Sequence, residues 1–97
     1  MSSYVAKPTR VLLVTYDLKT AGKNYAPFYE ALKNQGTWWH YLSSTWLIKT
    51  TKTHIEVYNA IAPHITIRDH VLIVPITRPY WGLLPKDAWD WINKHLQ

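Results

Sequence analysis

The groups in this 97-residue sequence that could do chemistry are carboxylates, hydroxyls and imidazoles. Cysteine is absent, which removes disulfides and thiolate metal sites. The five histidines show no HExxH or other spacing that would imply a zinc site. Neither Ser43 nor Ser44 sits in a GxSxG elbow, and three widely separated glycines make no phosphate-cradling loop. Asp17, at the end of an apolar run, stands out instead. A hard divalent cation such as Mg²⁺ or Mn²⁺ takes few protein carboxylates and keeps several waters, so one or two aspartates suffice to hold it. Such an ion would activate water or stabilise charge on a phosphoryl oxygen.

The elements that must position Asp17 follow from pattern. Arg10–Asp17 is a short β-branched run bounded by Pro8 and the polar stretch Lys19–Asn24, as expected of a central strand buried on both faces. Pro27–Asn34, closed by Gly36, reads as a helix with Phe28, Ala31 and Leu32 on one face. Trp38–Leu42 and Thr45–Thr50 form a hairpin turning at Ser43-Ser44. Thr53-His54-Ile55-Glu56 matches a capping box, opening a helix over Thr53–Ala62 whose apolar stripe is Ile55, Tyr58 and Ala62, with Ile61 nearby. His70–Ile76 is a last strand, expected at an edge or ending in a bulge because Pro75 cannot donate to a ladder.

This β-α-β-β-α-β order predicts an α+β fold, the ferredoxin-like split βαβ arrangement. Its single four-stranded antiparallel sheet is ordered fourth, first, third, second, with both helices on one face. The core covers about residues 10–77 of a single domain, and an extension over 78–97 ends in a helix with Ala88, Trp91, Ile92 and His95 on one side. Antiparallel neighbours bring the end of the first strand to the start of the third and fourth. Asp17 is therefore expected on one edge with Ser43-Ser44 and Asp69-His70, with Lys19 and Lys23 on the loop leaving it. Each has a plainer reading beside the chemical one: Asp17, Ser43, Ser44 and Asp69 as turn residues, His40 as an interior or interface histidine, His54 as solvated. With one helical layer, the opposite sheet face is left bare, and Trp38, Trp46 or Tyr41 points there in part. Such an exposed aromatic face implies a homodimer.

Eleven Lys and Arg against six Asp and Glu give a formal charge of +5, which favours polyanion partners, nucleic acid among them. The basic residues are scattered, and Lys19, Lys23 and Arg78 are the candidate nucleic-acid contacts. Six Trp and seven Tyr supply core area, stacking surface or partner anchors. The start of the chain lacks the basic and long apolar segments of a signal peptide, and no apolar run reaches the roughly 18 residues of a membrane span. The expectation is a cytoplasmic protein with no membrane partner.

Val11-Leu12-Leu13-Val14-Thr15-Tyr16-Asp17-Leu18, a helix ending in glycine, and Tyr41-Leu42-Ser43-Ser44-Thr45-Trp46-Leu47 resemble the CRISPR-associated Cas-two family. The virulence-associated protein D toxins are similar, and small bacterial SinR-like proteins with an aromatic hairpin and a Trp-rich C-terminal segment are more so. The resemblance spans roughly Val11–Ile76. It implies a ferredoxin-like homodimer, either a Mg²⁺- or Mn²⁺-dependent nuclease acting on RNA or DNA or a non-catalytic nucleic-acid-binding scaffold. By position it makes Asp17 the metal ligand and, with Ser44 (or Ser43), the catalytic candidate. The chain departs from the family at Thr45-Trp46, where Val-Phe is usual. It departs again after Ile76, where Arg78–Leu84 and a helix with Trp89 and Trp91 replace a dimer-completing fifth strand. A protein-interaction module using Trp81 or Trp89 as anchors is the alternative.

Overall fold

Strand β1 (Arg10–Asp17) lies inside the sheet, antiparallel to β3 (Thr45–Thr50) on one side and to β4 (His70–Pro75) on the other. Strand β2 (Thr37–Leu42) lies outside β3, giving the order β2-β3-β1-β4. This is the α+β, ferredoxin-like βαββαβ order expected from the sequence, with helices α1 (Ala26–Lys33), α2 (His54–Ile61) and a C-terminal α3 (Lys86–His95). The computed structural model describes residues 8–96; the leader reading of the N-terminus falls largely on residues 1–7, outside the described residues. No helix among the described residues is long and apolar enough to cross a membrane.

Strand alternation sends Val14 and Tyr16 of β1 to one face, where they join Phe28, Leu32, Trp46, Ile48 and Ile61 in a core under α1 and α2. Full burial of a side chain such as Phe28 or Leu32 contributes about 1.5–3 kcal/mol each. The capping box forms as expected: the Glu56 amide donates to Thr53 Oγ1 at 3.1 Å and the Thr53 amide donates to Glu56 Oε1 at 2.9 Å. The stripe it positions differs from the expected one. Val57 and Ile61 are buried, whereas Ile55 is 60% exposed and Tyr58 is also exposed. Several apolar residues fit one helical repeat here, and docking onto the sheet selects the Val57–Ile61 pair.

The second sheet face is not bare, which corrects the expectation of a single helical layer. Val11, Trp39 and Leu47 pack there with Ala88, Ile92 and Leu96, flanked by Leu13, Ile76, Tyr80, Leu84, Trp89 and Trp91. Trp46 points to the α1 side, where His40 stacks on it at 4.3 Å and Trp38 lies 5.0 Å away. Tyr41 accompanies Trp39, 5.2 Å between rings. Helix α3 covers only the half of this face around Val11 and Leu47. Toward the Asp17 end, Leu42 and Leu72 stay exposed.

Gly36 brings the chain from α1 into β2 hard against β3. A Cβ there would overlap the Lys49 carbonyl oxygen, a backbone atom that cannot swing aside. Gly36→Ala is expected to lower the melting temperature by roughly 10 °C, the scale of a 1–3 kcal/mol overpacking cost in a domain this size. Gly82→Ala, which meets open space, should leave the melt nearly unchanged. Circular dichroism melts of both variants check this.

Candidate functional site

Asp17 pairs with His70 across the β1–β4 ladder. On its other side the Tyr16 amide donates to the Ser44 carbonyl at 3.1 Å, and Thr45 Oγ1 donates to Thr15 Oγ1 at 3.1 Å. The expected meeting of Asp17, the Ser43-Ser44 turn and Asp69-His70 at one sheet edge is therefore present in the backbone. A shallow hollow of about 290 Å³ lies there, lined by Thr15, Tyr16, Asp17, His70, Val71 and Leu72. Beneath it, Trp46 Nε1 donates to the Tyr16 hydroxyl at 3.0 Å. Burial raises the Tyr16 pKa above its ordinary value, against the lowering effect of that indole bond.

The side chains at this edge divide sharply. Asp17 is exposed and forms an ion pair with Lys19 at 3.2 Å. Ser43 and Ser44 are exposed, and it is the Ser44 carbonyl that ties the turn to β1. Asp69 is buried and is not an open carboxylate. Its Oδ1 accepts from the Tyr25 hydroxyl at 2.6 Å, the Lys19 amide at 2.8 Å and the Thr20 hydroxyl at 3.3 Å, and its Oδ2 accepts from the Thr66 amide at 2.9 Å. Burial pushes the Asp69 carboxyl up, but the Tyr25, Thr66, Lys19 and Thr20 donors outweigh it and hold it far below the usual carboxylate range. Thr20 and Thr66 complete the network, their hydroxyls 2.6 Å apart. Sequence reasoning did not pick out Tyr25, Thr20 or Thr66. The available signal was Thr66-x-x-Asp69, a polar turn in which the Asp69 amide also donates to the Thr66 carbonyl at 3.0 Å.

The donor set does not fit a metal within one chain. Among the described residues no three His, Asp or Glu side chains converge, Asp17 is already neutralised by Lys19, and every close contact of Asp69 is a hydrogen-bond donor. The candidate basic residues are also split. Lys19 and Lys23 lie by the Asp17 edge, with Lys23 Nζ 5.7 Å from the Tyr25 ring centre. Arg78 lies past the opposite end of β4, where its Nη2 donates to the Leu96 carbonyl at 3.4 Å.

Arg78 instead borders a second concavity, about 560 Å³, lined by Pro79, Tyr80, Trp81, Trp89 and Asn93. Trp81 is 93% exposed, its ring 5.7 Å from that of Trp89. Next to it an apolar cleft of about 220 Å³ runs between the sheet and the tail, bordered by Trp39, Leu42, Leu84 and Trp89. Comparison with family models, curated proteins and solved structures gave no match.

The depressed Asp69 pKa has a stability consequence whose sign is fixed. Its contribution is fully present above the unfolded carboxylate pKa, near 4, and is lost as pH falls from there toward the lower folded value. Thermal melts of the wild type should therefore fall progressively below about pH 4. Asp69→Asn should melt lower than wild type at neutral pH and lack this acid-dependent component. Asp17→Asn, which loses only an exposed ion pair, should melt close to wild type.

Proposed function

We propose that this protein is a nucleic-acid-binding module that engages single strands, a scaffold rather than a one-chain phosphodiesterase. The observation that carries this is the concavity in which exposed Trp81 and half-buried Trp89 present aromatic surface beside the Arg78 guanidinium, with no carboxylate in the lining. Bases stack on such rings whatever their identity, and the cation meets the backbone. The wider charge distribution agrees with this reading. Asp17, Glu30 and Asp90 pair with Lys19, Lys33 and Lys86, Asp69 is enclosed and Glu56 caps α2, while Asp87 stays exposed in the first turn of α3; eleven Lys and Arg against these six carboxylates still leave a positive excess.

Oligothymidylate should bind more tightly than duplex DNA, with affinity falling as salt rises because displaced counterions drive association. Trp81→Ala should weaken single-strand binding about tenfold, the scale of one base–aromatic stack. Fluorescence anisotropy at low and moderate salt checks both. No binding to either polymer at low salt would overturn the reading and favour a protein partner for the Trp-rich surface.

A second reading, a homodimeric metal-dependent nuclease of the Cas-two-like type, is supported by one observation. The sheet face that carries Asp17, Thr15 and Leu72 is left open by α3 at that end. A second copy seated there would supply the carboxylate that one chain lacks. Cleavage of labelled RNA or DNA that stops with EDTA and falls at least about a hundredfold in Asp17→Asn would establish this reading. A monomeric mass with no cleavage would remove it.

A further inference from the structure

We propose that the end of the sheet opposite Asp17 carries a phosphate pocket for the backbone of the same bound strand, an inference that rests on the nucleic-acid reading above. A concavity of about 480 Å³ opens where β2 begins and β3 ends, and Lys49, Lys52, His95, Thr9, Thr37 and Thr51 contribute to its lining. No carboxylate lines it. Elsewhere Lys33 and Lys86 rest against Glu30 and Asp90, whereas Lys52 Nζ donates to a neutral acceptor, Gln35 Oε1, at 2.8 Å. Its charge is held in place without being cancelled. Glu56, four residues on, accepts the Thr53 amide in the capping box of α2.

His95 reports the local potential. Its pKa is lowered first by burial and then by the charges of Lys49 and Lys94, and its Nδ1 is buried with no hydrogen-bond partner. Two ammonium groups, several hydroxyls and an imidazole offer more donors than the two oxygens of a carboxylate can take up. A phosphate, with its larger set of acceptor oxygens, matches them. The pocket also adjoins the stacking surface along the chain. His95 lines the pocket, Asn93 and Trp89 line the aromatic concavity, and Arg78 bonds to Leu96 at the same helix end. A strand stacked on Trp81 thus has a basic path around the last turn of α3.

The test is oligothymidylate binding to wild type, the double variant Lys49→Gln/Lys52→Gln, and Lys86→Gln as the control. The double variant should lose about tenfold in affinity, and its slope of log affinity against log salt should flatten by about 1.4, two single-strand phosphate contacts at about 0.7 each. Lys86→Gln, whose charge is already paired with Asp90, should change the slope little. Circular dichroism melts exclude unfolding as the cause, since a folding defect would lower binding without that slope change. An unaltered slope and affinity in the double variant, with wild type binding, overturns the pocket and leaves the stacking site standing. Inorganic phosphate is the second probe, followed through the His95 ring signals by NMR. If those signals move with phosphate while oligothymidylate does not bind, the occupant is free phosphate and the nucleic-acid reading falls. If neither probe moves them, the pocket falls, and the nucleic-acid reading falls with it only where oligothymidylate also fails to bind.

Discussion

Strand β1 belongs to two cores at once, and most of the architecture answers to that constraint. Val14 and Tyr16 face α1 and α2, while Val11 and Leu13 face the other way with Trp39 and Leu47. A sheet apolar on both faces needs a layer on each, and two helices can cover only one. Helix α3 supplies the other layer with Ala88 and Ile92 inward and Lys86, Asp90 and Lys94 exposed. Reaching that face fixes the path of the tail. The Ile76 amide still donates to the Val11 carbonyl at 2.9 Å, after which Arg78–Leu84 must cross toward α3.

The two aspartates of the Asp17 edge illustrate how location assigns roles to the same side chain. Asp69 collects four donors from three separated segments and so ties the loop leaving β1, the start of α1 and the turn before β4 into one body. A carboxylate so enclosed has its acceptor capacity filled by the fold. Asp17, at the last position of its strand, contributes little to folding and stays available to solvent. Lys19 links the two: its amide serves Asp69 while its ammonium serves Asp17. The chemical candidate of this edge therefore sits on a rigid frame built by its neighbour.

Strand identity, order and the edge position of β4 were legible because each rests on local residues: the apolar run of β1, Ser43-Ser44, the capping box, and Pro75. What was not legible depends on distant partners. The phase of α2 could not be read because Ile55 and Tyr58 satisfy the helical repeat as well as Val57 and Ile61 do, and only the sheet decides between them. The apolar side of α3 was visible, but its docking site on Val11 and Leu47 is not encoded near it in the chain. Burial of Asp69 hinges on Tyr25, 44 residues away. Scattered basic residues gave no hint that Arg78 would separate from Lys19 and Lys23 while Lys49 and Lys52 would share a pocket with His95.

The last turn of α3 is where stability and the proposed binding surface become one problem. Carbonyls at a helix C-terminus carry partial negative charge, and cations there are stabilising. Lys94 occupies that turn, and Arg78 reaches in to donate to the Leu96 carbonyl. The same arrangement gathers Arg78, Lys94 and the Lys49–Lys52 pocket toward the end of the sheet opposite Asp17 and Asp69. Because α3 docks through Ala88, Ile92 and Leu96, loosening those contacts would scatter these cations as well as open the second core. The surface exists only when the helix that covers β1 is in place.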